Sequence, residues 1–303
     1  QDTVNTSSTI QSDFIPGSPW LYYKIYCGAK TADHLLLEII KPLTEKLLAE
    51  KKITAWFFIR YNEGGNHIRL RFRIADCFDW KIIIDSITKY LNPALQNGTI
   101  SKIQTDTYKR ELERYGANTI HFAEELFYQD SVCKLQFLEN TEGDEREDIR
   151  WIWGIRQTEA LLNELQFTLQ EKILFFAHLK ENFAKEFGID KNTKTSMNKI
   201  YNEARSDINK IVFPKNMDVV EGYGSLIIVG EQFSKNIQPV CAQILHYKQS
   251  GQLEVSWQNL MSSFIHMSLN RLFPASQRKN EMILYDIMHR HYTSLKAMNK
   301  VIK

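Results

Sequence analysis

The segment His67-Ile68-Arg69-Leu70-Arg71-Phe72-Arg73-Ile74 alternates strictly between cationic or polar and apolar residues. A strand built this way puts Ile68, Leu70, Phe72 and Ile74 on one face and His67, Arg69, Arg71 and Arg73 on the other. Like charges side by side repel, and a face meeting only solvent would mix signs. The preceding run ends in Arg60-Tyr61, which brings a further cation and a hydroxyl toward the same turn. Several guanidinium groups on one surface suit carboxylates, held in bidentate pairs; a solvated sheet face with cross-strand acids is the plain alternative. In Tyr108-Lys-Arg-Glu-Leu-Glu-Arg-Tyr-Gly116, Arg110 and Arg114 lie one turn apart on a short helix, with Glu111 three residues from Arg114. Gly116 is placed to stop that helix. The same spacing also describes an ordinary salt-bridged helix end. Finally, between Ser256 and Phe273, His266 stands one turn from Ser262, Ser263 and Asn270 in an otherwise apolar helix. Such a stripe is either solvated or lines a pocket. A histidine titrating near neutrality is the side chain suited to moving a proton there.

Recognisable elements position these residues. Trp20 to Cys27 reads as a strand, and Ala32 to Lys51 as a helix with Leu35, Leu36, Ile39, Leu43 and Leu47 on one side and Thr31 as its cap. Ile53 to Tyr61 and His67 to Ile74 are strands joined by the turn Asn62-Glu-Gly-Gly-Asn66. Asp79 to Leu95 is a second helix and Thr99 to Thr105 a fourth strand. The order βαββαβ is that of a ferredoxin-like sheet, antiparallel with both helices on one face. The cationic row then belongs to the open face, and His266 must reach it from elsewhere if the groups share a pocket. Beyond Gly116 helical periodicity takes over, over 118–138, 149–167, 169–187, 193–210, 225–249, 256–273 and 276–297. Pro239 is expected to kink or split the fifth of these. The acidic run Glu139 to Asp148 reads as a solvated loop that caps the next helix. The fold class is α+β. Residues 1–15 form a flexible lead-in, 16–116 the ferredoxin-like part and 117–303 a helical part, together one functional unit.

Composition removes other classes. The 303 residues are 43% hydrophobic and 24% charged, with a net charge of +2, too balanced for a chain whose main work is gripping a nucleic-acid backbone. No run approaches the ~18 apolar residues of a membrane span. Cys27, Cys77, Cys133 and Cys241 are far apart with no CxxC spacing, as in buried thiols of a reducing cytoplasm. His289 and His291, two apart, fall on different sides of a helix, so a zinc site is not expected. The Trp151/Trp153 and Phe175/Phe176 pairs read as core, and Gly64-Gly65 as a turn, because no helix follows it to make a phosphate loop.

The three segments also carry a resemblance. The chain is similar to the C-terminal domain of class I lantibiotic dehydratases, also called the thiopeptide-type bacteriocin biosynthesis domain. The similar pieces are Phe14 to Tyr26, Trp56 to Tyr61, His67 to Phe72, Tyr108 to Gly116, Glu125-Leu-Phe127 with Asp130-Ser131, and His266 to Arg271. They run in the family's order over nearly the whole chain from residue 14. The resemblance implies a cytoplasmic enzyme that eliminates glutamate from glutamylated Ser or Thr of a precursor peptide, leaving dehydroalanine or dehydrobutyrine. It implies no ATP, metal or organic cofactor, and no direct nucleic-acid contact. The residues implied as catalytic are Arg69, Arg71, Arg114 and His266, with Arg60, Tyr61 and His67 as substrate-binding neighbours. The implied partners are the leader-core precursor peptide and a separate glutamylating subunit or domain, for which 303 residues leave no room; a homodimer is the assembly to test. Stand-alone relatives that join two dehydroalanines in a formal [4+2] cycloaddition are the alternative, and a peptide-binding scaffold the third. Retention of all three arginines and the histidine favours elimination, because cycloaddition has no glutamate to recognise.

Overall fold

Residues 10–188, 191–212 and 223–301 are described by the structure, a computed structural model. Four strands, β2 (Trp20–Tyr26), β3 (Ile53–Tyr61), β4 (His67–Ile74) and β5 (Lys102–Thr105), form an antiparallel sheet in the order β3-β4-β2-β5. This is the ferredoxin-like order expected from βαββαβ. Thr99 to Ser101 lie outside the fourth strand. Between β2 and β3 the chain runs through α1 (Thr31–Leu35), a π-helical turn (Leu36–Ile40) and α2 (Lys41–Ala49). Thr31 is the first helical residue rather than the cap, which is Lys30. The wide turn ends just before Pro42, which cannot donate the next helical bond. A 3-10 turn (Cys77–Asp79) and then α3 (Trp80–Gln96) join β4 to β5.

A shorter pair, β1 (Asp13–Phe14) with β6 (Tyr108–Lys109), lies beside the main sheet. Phe14 is buried and stacks on Tyr108 at 5.8 Å, so the end of the expected lead-in is packed structure; residues 1–9 lie outside the described residues. After the one-turn α4 (Leu112–Tyr115) come α5 (Ile120–Glu139), α6 (Gly143–Glu164), α7 (Leu169–Phe187), α8 (Lys191–Val212), α9 (Gly224–Gln249), α10 (Trp257–Leu272) and α11 (Gln277–Val301). Most of the acidic run is therefore the first turns of α6 rather than a loop, consistent with carboxylates favouring a helix N-terminus. Pro239 does not split α9, which runs through it as one element.

The helical half docks on the edge of the sheet. Strand β3 has a partner on one side only, so its outer N–H and C=O groups need acceptors and donors elsewhere. Ser131 of α5 accepts from Phe58 N at 3.2 Å, Asn270 of α10 bonds both N and O of Arg60 at 2.9 Å, and Arg271 Nε donates to Phe58 O at 2.7 Å. One contiguous hydrophobic core runs through both halves.

Candidate active site

Register decides which side chains share a face. Arg71 stands opposite Tyr22 of β2 and Phe57 of β3, and helix α5 brings Phe127 to 5.3 Å from Phe57. The open face is thus partly roofed, and Arg71 is only 8% exposed. Its guanidinium carbon lies 4.5 Å from the Tyr22 ring centre, 4.8 Å from Tyr108 and 5.2 Å from Phe57. Ring faces attract a cation, but they do not replace hydrogen bonds. Arg71 Nε has no partner, and among the described residues no carboxylate pairs with this guanidinium. Burial pushes its pKa down, against the fields of Tyr108, Tyr22 and, more weakly, Glu111; an arginine remains a cation under such a load. Tyr108 is fixed in turn: its hydroxyl donates to Glu124 at 2.9 Å, and Arg110 grips the same buried carboxylate at 2.7 Å through Nε and Nη2. Arg110 precedes α4, so it shares no helix face with Arg114.

Arg69, two residues along the same face, lies 3.4 Å over the Tyr61 ring and donates from Nε to His67 Nε2 at 3.2 Å. His67 Nδ1 is 2.8 Å from Gly65 O, so Nδ1 carries the hydrogen and the ring is neutral; burial lowers its pKa. Arg73 donates from Nε to Thr54 Oγ1 at 2.7 Å and reaches Glu125 of α5 at 3.8 Å. The repulsion expected along the row is met by a ring, a hydroxyl and a helical acid.

His266 lines an open cleft of 460 Å³ with Arg114, Ser262, Arg278 and Glu281. Its Nδ1 lies 3.0 Å from Glu281 Oε2. A carboxylate only accepts, so Nδ1 is the donor. Glu281 is buried and also accepts from Arg278 Nη1 at 3.0 Å and the Tyr285 hydroxyl at 2.7 Å. Burial alone would raise its pKa, but the bond from His266 and the charge that ring can carry, then the Tyr285 bond and the charge of Arg278, lower it. Arg114 pairs with Glu111 at 3.1 Å, and the stack of Tyr115 on Phe264, 5.8 Å between centres, seats α4 against α10. Gly116 turns the chain at φ +75°, where a Cβ would come 2.9 Å from Thr119 Oγ1.

The structure therefore brings Arg114 and His266 into one cleft, and Arg69 and Arg71 onto one sheet face together with Tyr61 and His67. Neither Arg69 nor Arg71 lines the His266 cleft, so the four residues expected to share a pocket stand in two groups. Arg60 is not brought to that face. It stands opposite Ile68, on the other side of the sheet, and pairs with Asp33 at 2.5 Å. Glu281 was not singled out by sequence; Arg278 and Glu281, three apart, look like a surface helix pair until the fold buries the acid.

The family described as lantibiotic biosynthesis dehydratase C-term matches residues 20–292. The chain is 25% identical over 283 residues to the nisin biosynthesis protein NisB of Lactococcus lactis subsp. lactis, covering 90% of this chain and 25% of that protein. It is 24% identical over 180 residues to the subtilin biosynthesis protein SpaB of Bacillus subtilis, covering 58% and 17%. It thus spans about a quarter or less of the curated relatives it matches. The tRNA dependent lantibiotic dehydratase MibB of Microbispora sp. 107891 has a similar fold, with a TM-score of 0.68 at 19% identity over 90% of this chain and 28% of that one. The pyridine synthase TbtD from thiomuracin biosynthesis superposes with a TM-score of 0.67 at 12% identity, over 93% of this chain and all of its own.

Proposed function

The chain belongs to the lantibiotic biosynthesis dehydratase C-terminal family, and from that premise we propose that it eliminates glutamate from glutamylated Ser or Thr of a precursor peptide. The observation that carries this reading is Arg71, a buried guanidinium among aromatic rings with an unpartnered Nε. Such a group is prepared for a planar anion, and the free carboxylate of an esterified glutamate is one. His266 Nε2 accepts the α-proton of the modified residue while Nδ1–H donates to Glu281, whose charge stabilises the imidazolium. The electron pair forms the Cα=Cβ bond, the Cβ–O bond breaks, and glutamate departs as a carboxylate. Arg114, which lines the same cleft, would stabilise the charge that develops on the amide oxygen or the leaving group; one such donor is typically worth about 3 kcal/mol. The glutamylated peptide would be supplied by a separate glutamylating subunit or domain, and the chemistry calls on no metal or organic cofactor.

The test offers the protein a synthetic Ser-glutamyl peptide and follows loss of glutamate by mass spectrometry. Ring closure of a bis-dehydroalanine peptide, with no elimination, would establish cycloaddition instead, a reading suggested by the fold shared with the pyridine synthase TbtD. Tight peptide binding without turnover of either substrate would establish a scaffold. In the elimination reading, Arg71→Ala loses binding of the glutamylated peptide together with turnover. His266→Ala keeps binding while turnover collapses. Equal binding losses would make His266 a substrate holder, and an unimpaired His266→Ala would remove it from the mechanism.

A further inference from the structure

The sheet face that carries Arg71 continues past it toward the β5 edge, and its charges do not balance. Arg69 of β4 stands directly opposite Lys24 of β2, and Tyr26 stands between His67 and Lys102 of β5. Cross-strand partners share a face, so Lys24, Arg69 and Lys102 lie on one surface with Arg71. Like charges directly opposite destabilise a sheet, and a face that met only water would place an acid at one of these positions. Among the described residues one carboxylate bonds to this group: Asp106, 2.5 Å from Lys24 Nζ. The other two cations rest on rings. Arg69 lies 3.4 Å over Tyr61, and Lys102 Nζ lies 4.3 Å over Tyr26. Their fields converge on His67, whose pKa is lowered first by burial and then, against its bond to Gly65, by Arg69, Lys24 and Lys102. Helix α5 roofs the other end of the face, where Phe127 meets Phe57 and Glu125 reaches Arg73. At this end Lys102 and Gln104 are exposed.

We propose that Lys24, Arg69 and Lys102 form a specificity strip that reads acidic side chains of the peptide substrate two and four positions from the modified residue. It presupposes that Arg71 holds the glutamyl carboxylate, as in the elimination mechanism. Same-face residues of a strand repeat every ~7 Å, and an extended peptide has the same rise. With the modified residue at Arg71, side chains two and four positions along meet the Arg69–Lys24 pair and then Lys102. A carboxylate there supplies the charge that the face lacks, and Arg69 offers it a bidentate fork. Aromatic rungs between cations are also the makings of a single-stranded RNA platform, but base stacking needs free ring faces. Tyr61 and Tyr26 each have a cation over one face and the His67 ring beside them. An acidic peptide fits this surface better.

The experiment uses the intact chain and synthetic Ser-glutamyl peptides that differ only in carrying Asp, Ala or Lys two and four positions from the modified serine, on either side. Binding is read by fluorescence anisotropy of the labelled peptides, and elimination by mass spectrometry. The Asp peptides should bind on the order of fivefold more tightly than the Ala peptides at low salt, with the advantage fading as salt rises. Lys102→Glu should reverse the order at the fourth position, so that the Lys peptide binds best. Lys46→Glu on α2 makes the same change of net charge elsewhere and should keep the order. Elimination with equal binding of the Asp, Ala and Lys peptides overturns the strip and leaves the elimination reading standing. So does an Asp preference that is the same in wild type and Lys102→Glu. An Asp preference that Lys102→Glu reverses, with no elimination, supports the strip and overturns the elimination reading instead. Tighter binding of a short oligouridylate than of any peptide, lost in Lys102→Glu, would make the face an RNA platform and overturn the proposal.

Discussion

At the scale of single residues, the proposed chemistry depends on two carboxylates that never meet substrate. Glu281 fixes the His266 tautomer, and Glu124, itself gripped by Arg110, holds the Tyr108 hydroxyl with its ring against Arg71. Glu281→Gln keeps the shape and an acceptor oxygen but removes the charge that stabilises an imidazolium. Elimination should fall on the order of 10²-fold in kcat with KM nearly unchanged, as steady-state assays of the glutamylated peptide would show. The Glu281 carboxyl is depressed by its partners, so its contribution is complete above the ordinary carboxylate pKa of about 4.3 and is lost as pH falls through the depressed value. Wild type should therefore show an acid-side loss of stability that Glu281→Gln lacks, measured as urea midpoints against pH. His266 and the arginines were visible in the sequence because their types are unusual for their positions. Glu281 was invisible because its partner His266 is fifteen residues away on another helix.

At the scale of elements, the strands and helices were legible because hydrophobic period and turn residues agree along the chain. The wide turn before Pro42 was not legible, because it answers a local backbone deficit that periodicity does not register. Nor was the placement of Arg60. Adjacency to Tyr61 suggested a shared site, but alternation sends neighbours to opposite faces. Gly116 is the element-scale joint of the cleft, since it ends α4 directly after Arg114 and Tyr115. Gly116→Ala meets both a positive φ and Thr119 Oγ1 at 2.9 Å, so it should cost about 2 kcal/mol and displace Arg114, lowering elimination with it. Gly98→Ala is the control: φ is +79° but nothing lies within 4 Å of the added carbon. It should cost about 1 kcal/mol and leave elimination intact. Urea melts and peptide assays on the two variants separate these outcomes.

For the molecule as a whole, the decisive contacts join segments far apart in sequence, so neither composition nor spacing could show them. Asp33 of α1 accepts from Arg60 of β3 and Arg150 of α6, all three buried. Asp33→Asn leaves two guanidinium groups without their shared charge and should destabilise by roughly 3–5 kcal/mol, read as a lower urea midpoint. Acid should weaken the fold through its interior histidines as well. Burial lowers the pKa of His67 and, first among its causes, that of His291, so the unfolded chain takes up protons that the folded one resists. Stability is then full above the ordinary histidine pKa of about 6.5 and declines as pH falls below it. Urea midpoints at about pH 8 and pH 5.5 should differ in that sense, and His67→Gln should narrow the gap. The short pairing of β1 with β6 has a mechanical consequence. Only Asp13 and Phe14 are in register with Lys109 and Tyr108, and Arg110 binds back to the carbonyls of Ser12 and Gln11. Tension on the chain ahead of residue 10 would peel these few bonds before loading β2, and would pass through Tyr108 and Arg110 into the segment that carries Arg114. The proposed catalytic arm is thus the first part of the molecule to feel a pull from that end.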